Sequence, residues 1–250
     1  MIHIFTSVVN RPDFIILQDK LFQRFLKDSY KFHIVDDSID DTISEQFKTI
    51  CLKSGFFYYK KPPRDISMNP AQACADTVQW TYNDIIKINH QNDIVFFCDS
   101  DLFLIDDFSI SEYMEDSIIA GLPQYRGSIT YMWNGIMFFN MPKINDYDID
   151  FSDGVVNGEL TDVGGNTYYY FKRNNFWMKE TDVQYPTHFN DIDLQNGEVT
   201  RGYNFELHLD GKFLHYRAAT NWHTNWRGSD DPLVNKTKVF NQIIESILSD

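Results

Sequence analysis

An α/β fold with a mostly parallel central sheet flanked by helices is predicted by three observations. Strand-like and helix-like segments alternate along the first 101 residues. The apolar run Ile94-Val95-Phe96-Phe97-Cys98 is bounded by polar residues, as expected for a buried strand of a parallel sheet. Asn69-Pro70 is a helix start, a capping side chain followed by proline at the first helical position. Consecutive parallel strands then require right-handed crossovers.

Ile2 to Val9 reads as the first strand. Pro12 can open the helix that follows, where Phe14, Leu17, Leu21 and Phe25 keep one apolar face. Lys31 to Val35 is a second strand ending at Asp36-Asp37, Ile43 to Leu52 a short helix, and Phe56 to Tyr59 a third strand. The helix opened at Asn69 buries Ala71, Cys74, Ala75, Val78, Tyr82, Ile85 and Ile86 and delivers the chain into the strand ending at Asp99. Beyond Asp101, Ile118 to Leu122 and Gly135 to Asn140 read as strands. Asn145 to Asn166, polar and acidic, reads as a long loop region. A helix opens near Tyr168, at least one of Tyr168, Tyr169 and Tyr170 being exposed because one helix cannot turn all three inward. Lys212 to Tyr216 is a late strand, and Val239, Phe240, Ile243, Ile244, Ile247 and Leu248 mark a closing amphipathic helix.

No composition break divides the 250 residues, so a single domain is expected. Apolar residues at 43% suffice for a core and argue against disorder. The net charge of −14 argues against nucleic acid, which is bound through positive charge. A diphosphate stays admissible if a cation supplies positive charge locally. Cys51, Cys74 and Cys98 are too scattered for a disulfide framework or a zinc site and are expected to be reduced and buried. Met1-Ile2-His3-Ile4-Phe5 lacks the basic start of a secretory signal and no run of about 18 apolar residues occurs, so a cytoplasmic protein with no transmembrane segment is expected. The sequon Asn235-Lys236-Thr237 is then coincidental.

Asp99-Ser100-Asp101 carries the functional expectation. It falls just past the carboxyl end of a strand, where open α/β sheets bind ligands. Residues i and i+2 of an extended chain project to the same side, so both carboxylates can reach one cation. Mn²⁺ or Mg²⁺ suits such a site, with phosphate and water oxygens completing the shell. The plain alternative is a strand-ending turn whose carboxylates meet only water.

Further segments follow in a recognisable order. Thr6 lies in the first strand and Asn10 and Arg11 follow it, while Asp36 and Asp37 follow the second. After Asp99-Ser100-Asp101 come Trp133-Asn134-Gly135, Thr161-Asp162-Val163-Gly164-Gly165, and His215-Tyr216-Arg217-Ala218-Ala219-Thr220-Asn221-Trp222. Over residues 1–225 this order resembles the metal-dependent GT-A glycosyltransferases, nearest to the glycogenin-like family 8. The resemblance implies a nucleotide-sugar half over 1–101, an acceptor and catalytic half over 102–225, and a C-terminal helix over 226–250.

It also implies a UDP- or GDP-sugar donor, a glycan-type hydroxyl acceptor, and Mn²⁺ or Mg²⁺ held by Asp99, Asp101 and His215. Thr6, Asn10, Arg11, Asp36, Asp37, Asp99, Ser100, Asn134, Gly135 and Arg217 are the implied donor contacts. Asp162 is the implied catalytic carboxylate, as base in an inverting reaction or as cation stabiliser or nucleophile in a retaining one. The chain departs from the family at Ala218, where a glycine is usual, and in having no Lys-Pro before Trp222, so that Arg217 or Arg227 would have to serve the diphosphate. Trp133, Trp177, Trp222 and Trp226 offer one or two sugar platforms. Two rival readings remain: a haloacid-dehalogenase-like phosphatase with Asp99 as nucleophile, and a sugar-nucleotide binding module without turnover.

Overall fold

The computed structural model describes residues 1–65, 67–196, 204–219 and 230–249. Strand β1 (Ile2–Val8) is followed by α1 (Pro12–Phe25), β2 (Tyr30–Asp36), α2 (Asp41–Ser54) and β3 (Phe57–Lys60). α2 starts at Asp40, whose side chain accepts from the Thr42 amide, and stops at Gly55 with φ of 76°. Asn69 caps α3 (Pro70–Trp80) in a capping box with Gln72. The same rod continues as a π-helical turn, Thr81–Ile86, and a last turn α4 (Lys87–Asn89). The wider turn keeps Val78, Tyr82, Ile85 and Ile86 on one buried face.

Next come β4 (Ile94–Asp99), β5 (Leu102–Leu104), α5 (Ile110–Met114), β6 (Ile119–Arg126) and β7 (Ile129–Asn140). The expected loop between Asn145 and Asn166 is corrected by a small hairpin, β8 (Gly154–Val156) and β9 (Glu159–Thr161). Its turn is Asn157-Gly158, both at positive φ, the residue pair that a tight hairpin turn selects. The chain goes on through α6 (Thr167–Asn174), β10 (Lys179–Glu180), β11 (Val183–Gln184), β12 (His188–Phe189) and β13 (Ile192–Asp193). It closes with β14 (Phe205–His208), β15 (Phe213–Tyr216) and α7 (Asp230–Ser249).

The central sheet has the order β10-β6-β7-β4-β1-β2-β3. β7 is antiparallel to both neighbours and every other pairing is parallel, so the expectation of a mostly parallel sheet flanked by helices is borne out. One face, with Ile4, Ile34, Phe96 and Phe138, packs on Ile15 and Phe22 of α1 and Phe47 of α2. The opposite face, with Phe5, Val35, Val95 and Phe97, packs on Val78, Tyr82 and Ile86 and on Tyr170 and Phe171 of α6. Tyr169 is the exposed tyrosine of its triplet.

A second sheet, β11-β14-β15-β5, is antiparallel. Because β5 begins directly after Asp101, this sheet carries the C-terminal part of the chain back to the end of β4. α7 holds it there: Phe240 packs on Phe14, Phe103 and Tyr216, and the Tyr216 hydroxyl meets Thr237 Oγ1 at 2.8 Å. Among the described residues no helix is long and apolar enough to cross a membrane.

Candidate metal and donor site

Asp99 ends β4 and Asp101 precedes β5, so the two carboxylates flank a one-residue turn over the C-terminal edge of the sheet. Gln18, buried on the otherwise apolar face of α1, fixes that turn. Its amide donates to the carbonyls of Asp99 at 3.0 Å and Leu102 at 2.9 Å. The Tyr216 amide donates to the Asp101 carbonyl at 2.9 Å. The β15–β5 register pairs His215 with Leu102, which sets the imidazole beside Asp101, with Nε2 3.5 Å from Oδ1. One ligand atom from each of Asp99, Asp101 and His215 falls within 4.8 Å of the others.

A carboxylate on β14 orients the imidazole. Glu206 is opposite His215 in the β14–β15 register, and its Oε2 meets His215 Nδ1 at 2.8 Å. Arg217 Nε meets the other oxygen of Glu206 at 3.0 Å. A histidine whose outer nitrogen bonds a carboxylate while its inner nitrogen faces the other donors is a common arrangement around bound metal. Two oxygens and an imidazole nitrogen suit Mn²⁺ better than Mg²⁺, which favours oxygen alone.

The electrostatics of the site are set by three ionisable groups in close contact. Burial and the neighbouring Asp101 charge push Asp99 up to about 7, with His215 pulling the other way. Burial works against charge on both Asp101 and His215. For Asp101 the imidazole and the Ala219 amide outweigh it and hold the carboxyl below its usual range. For His215 the bonds to Asp101 and Glu206 outweigh it and raise the imidazole to about 9.

Asp162 reaches the same rim from β9. Its charge contributes to the upward shift of Asp99, and its backbone amide accepts no freedom: it donates to the Tyr131 hydroxyl at 3.1 Å. Gly164, at φ of 89°, lies so close to β7 that a Cβ would collide with the Met132 carbonyl. Thr167 Oγ1 accepts from the Met132 amide at 2.9 Å. The loop bearing Asp162 is thus fastened to the strand that carries Asn134. Asn134 is buried, its amide directed to Cys74 Sγ at 3.1 Å, and the Trp133 indole lies over Gly135, where a Cβ would strike it. Trp133 also packs against His208 and His215.

The other expected donor contacts divide. Asn10 sits past β1 with its Oδ1 buried and lacking a hydrogen-bond partner. Arg11 is engaged by Asp13 through two bonds, at 2.9 and 2.6 Å. Thr6 and Asp36 are wholly buried. Asp36 accepts from the Ser38 amide at 2.8 Å and the Tyr58 hydroxyl at 2.7 Å and faces Lys60 at 3.2 Å, so it braces the strand end beneath Asp37. Asp37 is paired with Arg64 and lies 3.8 Å from Lys61. Ser100 is buried within its turn. Cys51, Cys74 and Cys98 are free thiols, but Cys74 is only partly buried, a correction explained by its position facing the site. Trp222, Trp226 and Arg227 lie outside the described residues.

Four residues of this neighbourhood escaped the sequence reading. Gln18 was visible as a lone polar residue in an apolar helical stripe, and Lys61 and Arg64 as a basic cluster in an acidic chain. Glu206 had no such signal, because only the strand register brings it to His215.

No protein-family model matches the chain, and no curated protein matches it in sequence. Solved structures similar to it include the galactosyltransferase LgtC in complex with donor and acceptor sugar analogues, at 11% identity over 56% of this chain and 58% of that one, TM-score 0.39. They also include mouse xyloside xylosyltransferase 1 in its apo form, at 10% identity over 71% of this chain and 85% of that one, TM-score 0.44. A third is the glycosyltransferase GlyE of Streptococcus pneumoniae TIGR4, at 14% identity over 56% and 34%, TM-score 0.36. The chain thus spans little more than half the length of LgtC. The architecture that the chain itself shows is a mostly parallel central sheet flanked by helices.

Proposed function

We propose that this chain is a metal-dependent glycosyltransferase that moves a sugar from a nucleotide-diphosphate donor to a hydroxyl acceptor, residues 1–250 acting as one glycosyltransferase unit. The observation that carries the reading is the convergence of Asp99, Asp101 and His215 on one point at the C-terminal edge of the sheet, with Glu206 orienting the imidazole. The order of segments along the chain supports it.

Asp99, Asp101 and His215 would hold Mn²⁺, which when bound neutralises charge developing on a departing diphosphate. The chain's own residues do the rest. Asn10, Asp37 and Ser100 border the donor from the strand ends, with Thr6 and Asp36 shaping the backbone under them. Arg217, braced on Glu206, contributes positive charge, as do Lys61 and Arg64 beside Asp37. Asn134 and Gly135 face the sugar, and Asp162, exposed on its fastened loop, takes the acceptor proton or stabilises the sugar cation.

The acceptor is read as a glycan. Tyr125, Tyr168, Phe171 and Trp177 line an open cleft of about 600 Å³ together with Lys172 and Glu180, and Glu180 accepts from the Trp177 indole at 2.6 Å. Aromatic faces beside a carboxylate and an ammonium suit a sugar, with apolar ring faces and hydroxyl edges.

The test is release of nucleoside diphosphate from a panel of UDP- and GDP-sugars with Mn²⁺, with and without glycan acceptors. Metal-dependent release lost in Asp162→Asn is the expected result. Mg²⁺-dependent phosphate release from an aryl phosphate, lost in Asp99→Asn, would replace the reading with the phosphatase. Donor binding without turnover on any acceptor would replace it with the binding module.

A further inference from the structure

At the opposite end of the same sheet, three histidines from separated stretches of sequence meet. His3 is on β1, His33 on β2, and His90 lies just after α4, with one nitrogen of each ring within 4.8 Å of the others. All three are buried. His3 Nδ1 and His33 Nε2 are 2.9 Å apart, and His90 Nε2 is buried with no hydrogen-bond partner. Four residue steps along β1, from His3 to Ser7, separate this cluster from the level of Asp99, a distance of about 13 Å along a strand.

We propose that His3, His33 and His90 form a second metal centre, a three-imidazole site for a zinc-class divalent ion. This centre is independent of the transferase reading, since it shares no residue with the Asp99 site. The geometry of the outer nitrogens supports it. While Nδ1 of His3 faces inward, its Nε2 lies 3.4 Å from Asp93 Oδ2. While Nε2 of His33 faces inward, its Nδ1 lies 3.4 Å from the Tyr59 hydroxyl. His3 and His33 therefore each have an oxygen on the outer side to hold the N–H there and leave the inner lone pair for a metal.

In the ion-free state one of the two inner nitrogens must carry the proton of the His3–His33 bond. Binding needs only the shift of that proton to the outer nitrogen of the same ring, so no net proton is released. Nitrogens of a tetrahedral zinc site, at about 2.0–2.1 Å from the ion, are about 3.4 Å apart, so His3 and His33 must spread by roughly half an ångström. Three protein ligands leave the fourth position to a solvent oxygen. The surroundings also suit the ion: Phe5 and Phe57 stack on the two faces of His33, at 4.3 and 4.7 Å, and burial keeps the rings neutral, with His3 lowered to about 4 and His33 to about 2. An orphaned, buried imidazole nitrogen is a cost that a bound cation removes.

The test uses tag-free protein and Co²⁺ as a spectroscopic stand-in for Zn²⁺, followed by competition with Zn²⁺. In the double variant Asp101→Asn, His215→Gln, which silences the other site, one equivalent of Co²⁺ is expected to give the strong visible absorption of a tetrahedral site. In the same background His90→Ala and His33→Gln are expected to weaken binding by more than about 100-fold, beyond the effect usual for an outer-shell partner. His90→Cys is expected to restore binding with an added thiolate charge-transfer band, which guards against loss of fold as the cause. The proposal is overturned by absence of a tetrahedral Co²⁺ spectrum in the folded double variant, or by a spectrum that survives both His90→Ala and His33→Gln.

Discussion

The two ends of the central sheet each gather three potential ligands, yet they treat protons in opposite ways. At the C-terminal edge Asp99 and His215 are raised to about 7 and about 9, so protons stay on. At the N-terminal edge burial lowers His3 and His33, so protons stay off. Burial acts at both ends, and the difference lies in the neighbours. Asp101 and Glu206 outweigh desolvation around His215, whereas around His3 the positive influence of His90 adds to it and Asp93 only partly opposes it. A charged, oxygen-rich site is suited to a hard cation with phosphate, and a neutral, nitrogen-rich one to a borderline metal.

The largest expected effect breaks the comparison at the catalytic rim. Asp162→Asn should lower kcat by roughly 10²–10⁴-fold while leaving donor affinity nearly unchanged, because a group acting in the transition state is not needed for binding. Single-turnover rates and donor titration on the same preparation check it. Lost donor binding with a normal rate at saturation would move Asp162 to the donor shell.

Next in size is Glu206→Gln, which keeps shape but removes the charge that orients His215. Mn²⁺ affinity should fall about 10–100-fold, as for other outer-shell partners, with Co²⁺ binding at the histidine end unaffected. Metal titrations of the variant measure both. Equal losses at the two ends would show a fold defect instead.

Opposite proton preferences also predict opposite pH dependences of stability. His3 titrates near 6.5 when unfolded and about 4 when folded, so the unfolded state binds more protons in between. Stability is therefore lost as pH falls through that window, by about 1.4 kcal/mol per pH unit at most. His215 has its folded value raised to about 9, so its contribution is full below about 6.5 and is lost as pH rises through 9. Asp99 behaves alike, its contribution fading between 3.8 and about 7 as pH rises. Denaturant melts from pH 5 to 9 should show the acid loss shrink in His3→Gln and the alkaline loss shrink in His215→Gln. The same slope in both variants and the parent protein would contradict the assignment.

The smallest effect concerns the support beneath the carboxylates. Gln18→Leu should cost about 1–3 kcal/mol by stranding the Asp99 and Leu102 carbonyls, and should weaken Mn²⁺ more than it affects the histidine end. Chemical denaturation and Mn²⁺ titration read the two consequences.

What was legible in the sequence follows the range of the interaction. The parallel strands, the capped helix at Asn69 and the position of Asp99 and Asp101 are local patterns, and each is found where it was read. The pairing of His215 with the carboxylates was reached through the order of segments, and the register of β15 on β5 supplies its physical cause. Glu206 and the meeting of His3, His33 and His90 depend on strand register and packing, to which composition and spacing are blind. The β8–β9 hairpin is a different case. Asn157-Gly158 was a readable turn signal, obscured by the acidic residues around it.

The central claim is that Asp99 and Asp101 hold a metal that in turn holds a nucleotide-diphosphate donor. Calorimetric titration of UDP- and GDP-sugars into the protein, with Mn²⁺ and with chelator, tests it most directly when repeated on Asp99→Ala and Asp101→Ala. The account predicts donor binding in the parent protein that requires Mn²⁺ and disappears in both variants while their melting curves stay cooperative. Metal-dependent affinity unchanged in both variants would contradict it.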